Sequence, residues 1–282
     1  MVNCVIYVVT DAGYEYLADK TVKMKKQLSA ADIELIVIHS AEAAKQLPLP
    51  RAGLLVISDS PKKVKEFASA GFYVIGFYHE KNGNEMFEGV PYAVSDVEEL
   101  TERSYEEVYR RLAGIPWDIL ETERLYVRES MIEDVGDFYC IYGEPSITDY
   151  VEELFENPDE ERAYMEDYIS HMYGFYGFGM WTVIEKSGNE IIGRAGLDVR
   201  EGYELPELGF VIKKSYQRKG YAEEACRAIL TYAKESLLFD RVQALVEEAN
   251  AASVSLLVKL GFAYQREVLE RGKTYQLMIK EL

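Results

Sequence analysis

Residues 207–222 read ELGFVIKKSYQRKGYA, an apolar strand that breaks into a polar turn, Gln217-Arg218-Lys219-Gly220-Tyr221-Ala222, and then enters a helix. A glycine beside basic residues at a strand-to-helix junction bares several main-chain N–H groups at the positive end of the helix, an arrangement suited to a pyrophosphate. Alone, such a turn is either an anion site or an ordinary connection. A second segment bears on the choice. About thirty residues later, ALVEEANAASVSLLVKLGFAYQRE gives an apolar strand, then Asn250, then a helix through Ser253, Leu256, Leu257 and Leu260. Gly261 is placed to close that helix and Phe262 to open the next strand.

Taken in order, Q-x-x-G-x-A followed by N-x-x-S-x-x-L-L-x-K-L-G-F resembles the GNAT superfamily of acetyl-CoA-dependent N-acetyltransferases, and within it the branch that acetylates ribosomal-protein N-termini. The resemblance covers roughly residues 122–282. It begins with Glu123-Arg124-Leu125-Tyr126-Val127-Arg128, similar to that branch's opening strand, and includes Ile191-Ile192-Gly193-Arg194-Ala195-Gly196, similar to its third. It implies an α+β domain over 117–282 whose mixed sheet is splayed to admit acetyl-CoA as co-substrate.

The resemblance also implies roles. Main-chain donors from Gln217 to Ala222 would hold the pyrophosphate, with Gly220 permitting close approach. The strand through Phe210, Val211 and Ile212 would pair with the pantetheine arm like an added strand, and Asn250 and Ser253 would touch its far side. An N–H near Phe210 or Val211 would polarise the thioester oxygen. Amines are mostly protonated at neutral pH, an α-amino group titrating near ~8 and a lysine near ~10.4, so a base is needed. Glu207 stands where many relatives carry that carboxylate, with Glu204 in reserve. The usual tyrosine acid falls on Leu257, which leaves Tyr264 or Ser253 as substitutes, or a thiolate that departs unassisted.

The first half alternates strands and helices. Val2–Val9, Ile33–Ile38, Leu54–Ile57 and Phe72–Tyr78 have strand character, and Pro91–Val94 is a short fifth. Helical spacing runs over Tyr14–Ala30. Asp59-Ser60-Pro61 starts another helix, and Ser95 or Asp96 is placed to cap a last one reaching Ala113. This order predicts an α/β domain over 1–116, a doubly wound, mostly parallel sheet. Gly114-Ile115-Pro116-Trp117 marks the boundary. Leu54–Leu100 is similar to the late half of haloacid-dehalogenase-like (HAD-like) domains. That family needs an Asp-x-Asp pair after its first strand. Here the stretch is Val8-Val9-Thr10-Asp11-Ala12-Gly13, so only Asp11 is present and covalent phosphoryl transfer is not expected. A binding or assembly role is expected instead, with room for a small ligand near Asp59.

Charge narrows the partners. The net charge is −18. Residues 1–115 carry 13 basic and 17 acidic side chains, and residues 116–282 carry 18 and 32. Between Glu144 and Asp167, ten acidic residues face one arginine, Arg162. That argues against nucleic acid, which needs a basic footprint. It suits a cationic amine, whether a peptide N-terminus or a small molecule, or serves simply as a solvated surface. No apolar run is long enough for a membrane span, and Met1–Thr10 lacks signal-peptide character. Cys4, Cys140 and Cys226 have no metal or disulfide spacing, so three reduced thiols in a cytoplasmic protein, with no metal, are expected. Whether two copies pair as a homodimer is left open. The aromatic, glycine-rich run His171–Trp181 is either a packing loop or a wall at the acceptor mouth.

Overall fold

The computed structural model describes residues 1–39, 51–270 and 272–282. The chain forms two compact units, Met1–Trp117 and Asp118–Leu282. The first contains a five-stranded sheet built from β1 (Cys4–Val8), β2 (Glu34–Ile38), β3 (Leu54–Ser58), β4 (Tyr73–Phe77) and β5 (Ala93–Val94). Its strand order is β2-β1-β3-β4-β5, and every pairing is parallel. All five residues of β1 are buried, as a strand covered on both faces requires. The period-2 geometry sorts them: Val5, Tyr7 and Val9 join a core with Leu17, Tyr105 and Tyr109, while Cys4, Ile6 and Val8 join a second with Val64 and Phe67. Helices α1 (Asp11–Leu17), α2 (Thr21–Ser29), α3 (Pro61–Ser69) and α4 (Glu102–Leu112) cover the two faces.

Two expectations change here. The helix read over Tyr14–Ala30 is split into α1 and α2, because Thr10 caps α1 by accepting from the Gly13 N–H, and the chain turns at 18–20. The last helix is not capped by Ser95 or Asp96. Asp96 takes the Glu98 N–H at 3.2 Å in a local turn. Thr101 and Ser104 exchange side-chain bonds with each other's main chain and start the helix.

The second unit holds an eight-stranded mixed sheet ordered β12-β13-β11-β10-β9-β8-β7-β6. Its strands are β6 (Asp118–Glu121), β7 (Leu125–Arg128), β8 (Met180–Glu185), β9 (Glu190–Asp198), β10 (Glu207–Ile212), β11 (Arg241–Val246), β12 (Ala263–Glu270) and β13 (Lys273–Glu281). One face is covered by α8 (Tyr221–Glu235), whose Ala225, Cys226, Ile229, Leu230 and Ala233 form the buried stripe. Trp181 of β8 is fully buried there, edge-on to Tyr232 at 5.6 Å. The opposite face meets α5 (Val135–Tyr142) and α7 (Pro158–Tyr168), with the short α6 (Pro145–Thr148) between them. Buried Arg194 of β9 lies under Phe138 of α5 at 4.8 Å and near Tyr168 of α7 at 5.9 Å. The last helix, α9 (Ala251–Leu260), is closed by left-handed Gly261 at φ 92°, as the sequence implied.

The aromatic run after α7 continues as a wide-turn π-helix over Ile169–Tyr176. Met172, Tyr173, Phe178 and Trp181 are buried, and the Tyr173 hydroxyl donates to the Met180 carbonyl. Most of it is therefore packing, with Phe175 and Tyr176 exposed at the end.

Thr101→Ala should destabilise the protein by about 1 kcal/mol, whereas Asp96→Ala should stay within about 0.5 kcal/mol of wild type. Urea denaturation of the two variants checks this, and equal losses would remove the cap assignment.

Candidate functional site

β10 pairs with β9 along its whole length, from Glu207–Asp198 to Ile212–Gly193. β11 pairs likewise with β13 from Arg241 to Val246. Between β10 and β11, the parallel pair at the middle of the sheet, one register position is joined, Glu207 with Gln243. The Gln243 N–H donates to the Pro206 carbonyl at 2.9 Å. Beyond that point the strands part and leave a wedge. The Lys213 N–H donates to Ile192 on β9 at 2.7 Å. Antiparallel alternation then turns the main chain of Phe210 away from β9, toward the wedge. Val211 and Ile212 bury their side chains in the core while Phe210 is half-buried.

The wedge opens onto the turn. Gln217 is extended, Arg218 is left-handed at φ 60°, and Gly220 at φ 85° occupies the N-cap of α8. No side chain caps this helix. The first N–H groups, at Tyr221 and Ala222, thus meet no intrahelical carbonyl and lie at the positive end of the dipole. A side chain at 220 would be strained by the backbone, with its Cβ in contact with Arg124 at 3.4 Å.

Two glutamates in the first turn would repel an anion were they free, but both are paired sideways. Glu223 is bonded by Lys259 and Arg227, chiefly Lys259, which holds its carboxyl below the usual range. Glu224 accepts from the Thr122 hydroxyl at 2.6 Å, the Arg124 N–H at 2.9 Å and Arg124 Nε at 2.7 Å. Burial pushes the Glu224 carboxyl up, but these bonds outweigh it and hold it below its ordinary value. Arg124 also donates to the Lys219 carbonyl at 3.0 Å and lies over the Tyr221 ring at 4.3 Å. It thus ties the turn and the helix start to the edge of β7. The sequence reading passed over Arg124 in this role because its partners lie about a hundred residues away.

The far rim is formed by α9. Asn250 caps it, its Oδ1 accepting the Ser253 N–H at 3.2 Å. Ser253 is half-buried beside it. Gln217 braces the turn from inside by donating to the Ile212 carbonyl at 2.9 Å. Leu257 is buried at 1% exposure, so α9 offers no phenol there. Tyr264 does not join the site: it lies half-exposed on β12, with β13 and β11 between it and the wedge. Glu204 is exposed on the β9–β10 connection.

Register places Glu207 beside Asp198, and both share the face that carries Arg194. Both Glu207 oxygens are held by Arg200, at 3.0 Å through Nη2 and by a shorter contact through Nε. Arg200 reaches Glu270 as well, at 2.9 Å. Burial pushes the Glu207 carboxyl up and Arg200 opposes it. Burial likewise raises Asp198, against the Val199 N–H, Arg194, Tyr168 and Arg200. Two donors on this side, Gln243 Nε2 and Arg194 Nε, are buried without a partner among the described residues. Among those residues no group of His, Cys, Asp and Glu is disposed to hold a metal, and no helix is long and apolar enough to cross a membrane.

A family model described as acetyltransferase (GNAT) domain matches residues 124–263. An uncharacterized N-acetyltransferase of Bacillus licheniformis, p20, is 31% identical over 161 residues, spanning 55% of this chain and 86% of that protein. Among solved structures, an acetyltransferase of Agrobacterium tumefaciens is similar at a TM-score of 0.51 and 21% identity, covering 58% of this chain and 94% of that one. A ribosomal L7/L12 alpha-N-protein acetyltransferase in complex with coenzyme A is similar at 0.51 and 13% identity, covering 59% and 98%. These two likenesses concern the fold.

Because the folded Glu224 carboxyl is held below its ordinary value, its contribution is present above the unfolded value and is lost as pH falls through the folded one. Glu224→Gln should therefore cost about 1 kcal/mol at neutral pH, and the difference from wild type should shrink in acid. Melting curves of both proteins at neutral and acid pH check the sign.

Proposed function

The chain belongs to the GNAT acetyltransferase family, and from that premise we propose that it moves the acetyl group of acetyl-CoA to a primary amine that is cationic in solution. The observation that carries this reading is the junction of the wedge with an uncapped helix end only eight residues beyond the last strand residue. The N–H groups from Arg218 to Ala222 would receive the diphosphate, and Gly220 supplies the space. The Phe210 main chain would pair with the pantetheine amides and present an N–H to the thioester oxygen. Asn250 and Ser253 close the other side of the arm. Gln217 and Arg124 hold the turn in shape and leave its N–H groups outward.

The acceptor's class follows from charge. Asp198, Glu161 and Glu152, opposed by Arg194, surround Tyr164 on the α7 side of the sheet, where the acidic stretch Glu144–Asp167 folds. A field of that sign favours an ammonium over an anion. Peptide N-termini and small polyamines both meet the requirement, and a panel holding both chooses between them. The amine must lose a proton before it attacks, and Glu207 and Asp198 are neighbouring carboxylates on this face of the sheet. With Leu257 in the acid's place, the leaving sulfur is stable enough as thiolate to depart unassisted.

For the first unit we propose a HAD-like domain, spanning residues 1–116, with a binding or assembly role and no phosphatase activity. Asp11 projects fully into solvent beside His39. Buried Asp59 is held by the Thr10 N–H at 2.8 Å, the Thr10 hydroxyl and His79 at 3.2 Å. The two acids are thus not poised together, as a phosphoryl-transfer site would need.

Incubation with acetyl-CoA and the amine panel, followed by release of free thiol, tests the assignment. Saturable binding without thiol from any amine would make the protein an acyl-CoA sensor instead. Gly220→Asp should weaken acetyl-CoA binding about tenfold or more by adding strain, bulk and a like charge. Unchanged affinity in the folded variant, read by calorimetry, would move the diphosphate elsewhere.

A further inference from the structure

We infer that Asp198, rather than Glu207, takes the proton from the acceptor's ammonium group. The inference rests on the acetyltransferase reading above and adds to it the residue that does the proton transfer. The two carboxylates are direct neighbours across β9 and β10, so one strand spacing, about 4.8 Å, separates their positions. Either is within reach of an amine on that face, directly or through one water. What distinguishes them is the occupancy of their oxygens.

Each oxygen of Glu207 already accepts from a charged donor. Arg200 grips both in a two-pronged pair, and the Glu207 side chain is only 12% exposed. Loading a proton onto it would break a charge-assisted pair in a poorly solvated place, where a separated partner is costly. The same Arg200 is anchored to Glu270 on β12. Glu207, Arg200 and Glu270 therefore make a clasp across the connection that precedes the wedge, and its task is to fix where β10 and β11 separate.

Asp198 is differently placed. Its Oδ1 accepts the Val199 N–H at 2.8 Å, while Oδ2 has only the distant Tyr168 hydroxyl at 3.4 Å. A lone pair on Oδ2 is open. The residue is half-buried and sits at the end of its strand, below the partly exposed Tyr164 of α7. The charged and titratable groups around it are Arg194 on its own strand, Glu207 on adjoining β10, Arg200 on the connection, and Tyr164 and Tyr168 from α7. Burial raises its carboxyl despite the two arginines, which makes it a better proton acceptor than an exposed aspartate.

In the step itself, one ammonium proton passes to Asp198 and the freed nitrogen pair forms the C–N bond at the thioester carbonyl. The C–S bond then breaks, its electrons leave with sulfur, and the second nitrogen proton goes to the thiolate or to water. Asp198 returns its proton to solvent.

The test is the pH profile of kcat and KM for wild type, Asp198→Asn and Glu207→Gln, followed by thiol release. Asp198→Asn should lower kcat at neutral pH by about a hundredfold or more with the KM for acetyl-CoA unchanged. The deficit should narrow as pH rises and the amine sheds its own proton. Glu207→Gln should keep the acid limb of the profile and instead raise the KM for acetyl-CoA. An Asp198→Asn enzyme with the wild-type profile, or loss of the acid limb in Glu207→Gln alone, overturns the assignment. If Asp198→Asn does not fold, Asp198→Glu replaces it: a displaced acid limb supports the role and an unmoved one removes it. Wild type that releases no thiol with any amine sinks the transferase reading itself, whereas active wild type beside an unaffected Asp198→Asn sinks only this inference.

Discussion

The single joined position between β10 and β11 is the constraint from which the second unit's site follows. A parallel pair in mid-sheet would ordinarily satisfy every main-chain group along its length. Here the ladder stops after Glu207 and Gln243, and beyond it β10 and β11 no longer pair with each other. Each strand remains rigid because its outer neighbour, β9 or β13, holds it over six positions. The gap is thus a fixed feature of two well-supported walls. Buried Gln243, with its amide nitrogen unpartnered, and the Arg200 clasp both sit where the walls converge.

Around this gap, the chain arranges charge so that a globally acidic protein presents a locally positive mouth. Glu223 and Glu224 stand in the first turn of α8, yet each is paired with a cation from another element. On the opposite side of β10 the carboxylates are raised by burial rather than stabilised. The bare helix start and the burial-raised carboxylates thus stand to either side of one strand. That division matches the demands of joining a polyanionic donor to a cationic acceptor.

Much of this was legible in the primary structure because it is local. The strand–turn–helix of 207–222, the helix that follows Asn250 and the Gly261 stop depend on neighbours within four residues, and each is where the residue pattern put it. The unbroken apolar run that buries all of β1 was visible for the same reason. What escaped depends on distant partners. Arg124 meets Lys219 and Glu224 across most of the second unit, and Asp198 meets Glu207 only through sheet register. The cap at Thr101 was missed because Ser95 and Asp96 offered equally good cap chemistry earlier, and Asp96 used it in a turn. Tyr264 was drawn in by proximity in the chain, whereas the sheet order carries it to an edge.

The bare start of α8 has a thermodynamic corollary. A fifteen-residue helix that packs the centre of the sheet begins without a side-chain cap, so its first main-chain N–H groups meet no intrahelical acceptor. An anion seated there supplies the missing acceptors and binds only the folded form, so occupancy adds to the free energy of unfolding in proportion to the logarithm of its concentration. Amide hydrogens at the start of α8 would then exchange quickly in the free protein and slowly in the loaded one, making the abundance of a metabolite a determinant of the enzyme's own lifetime.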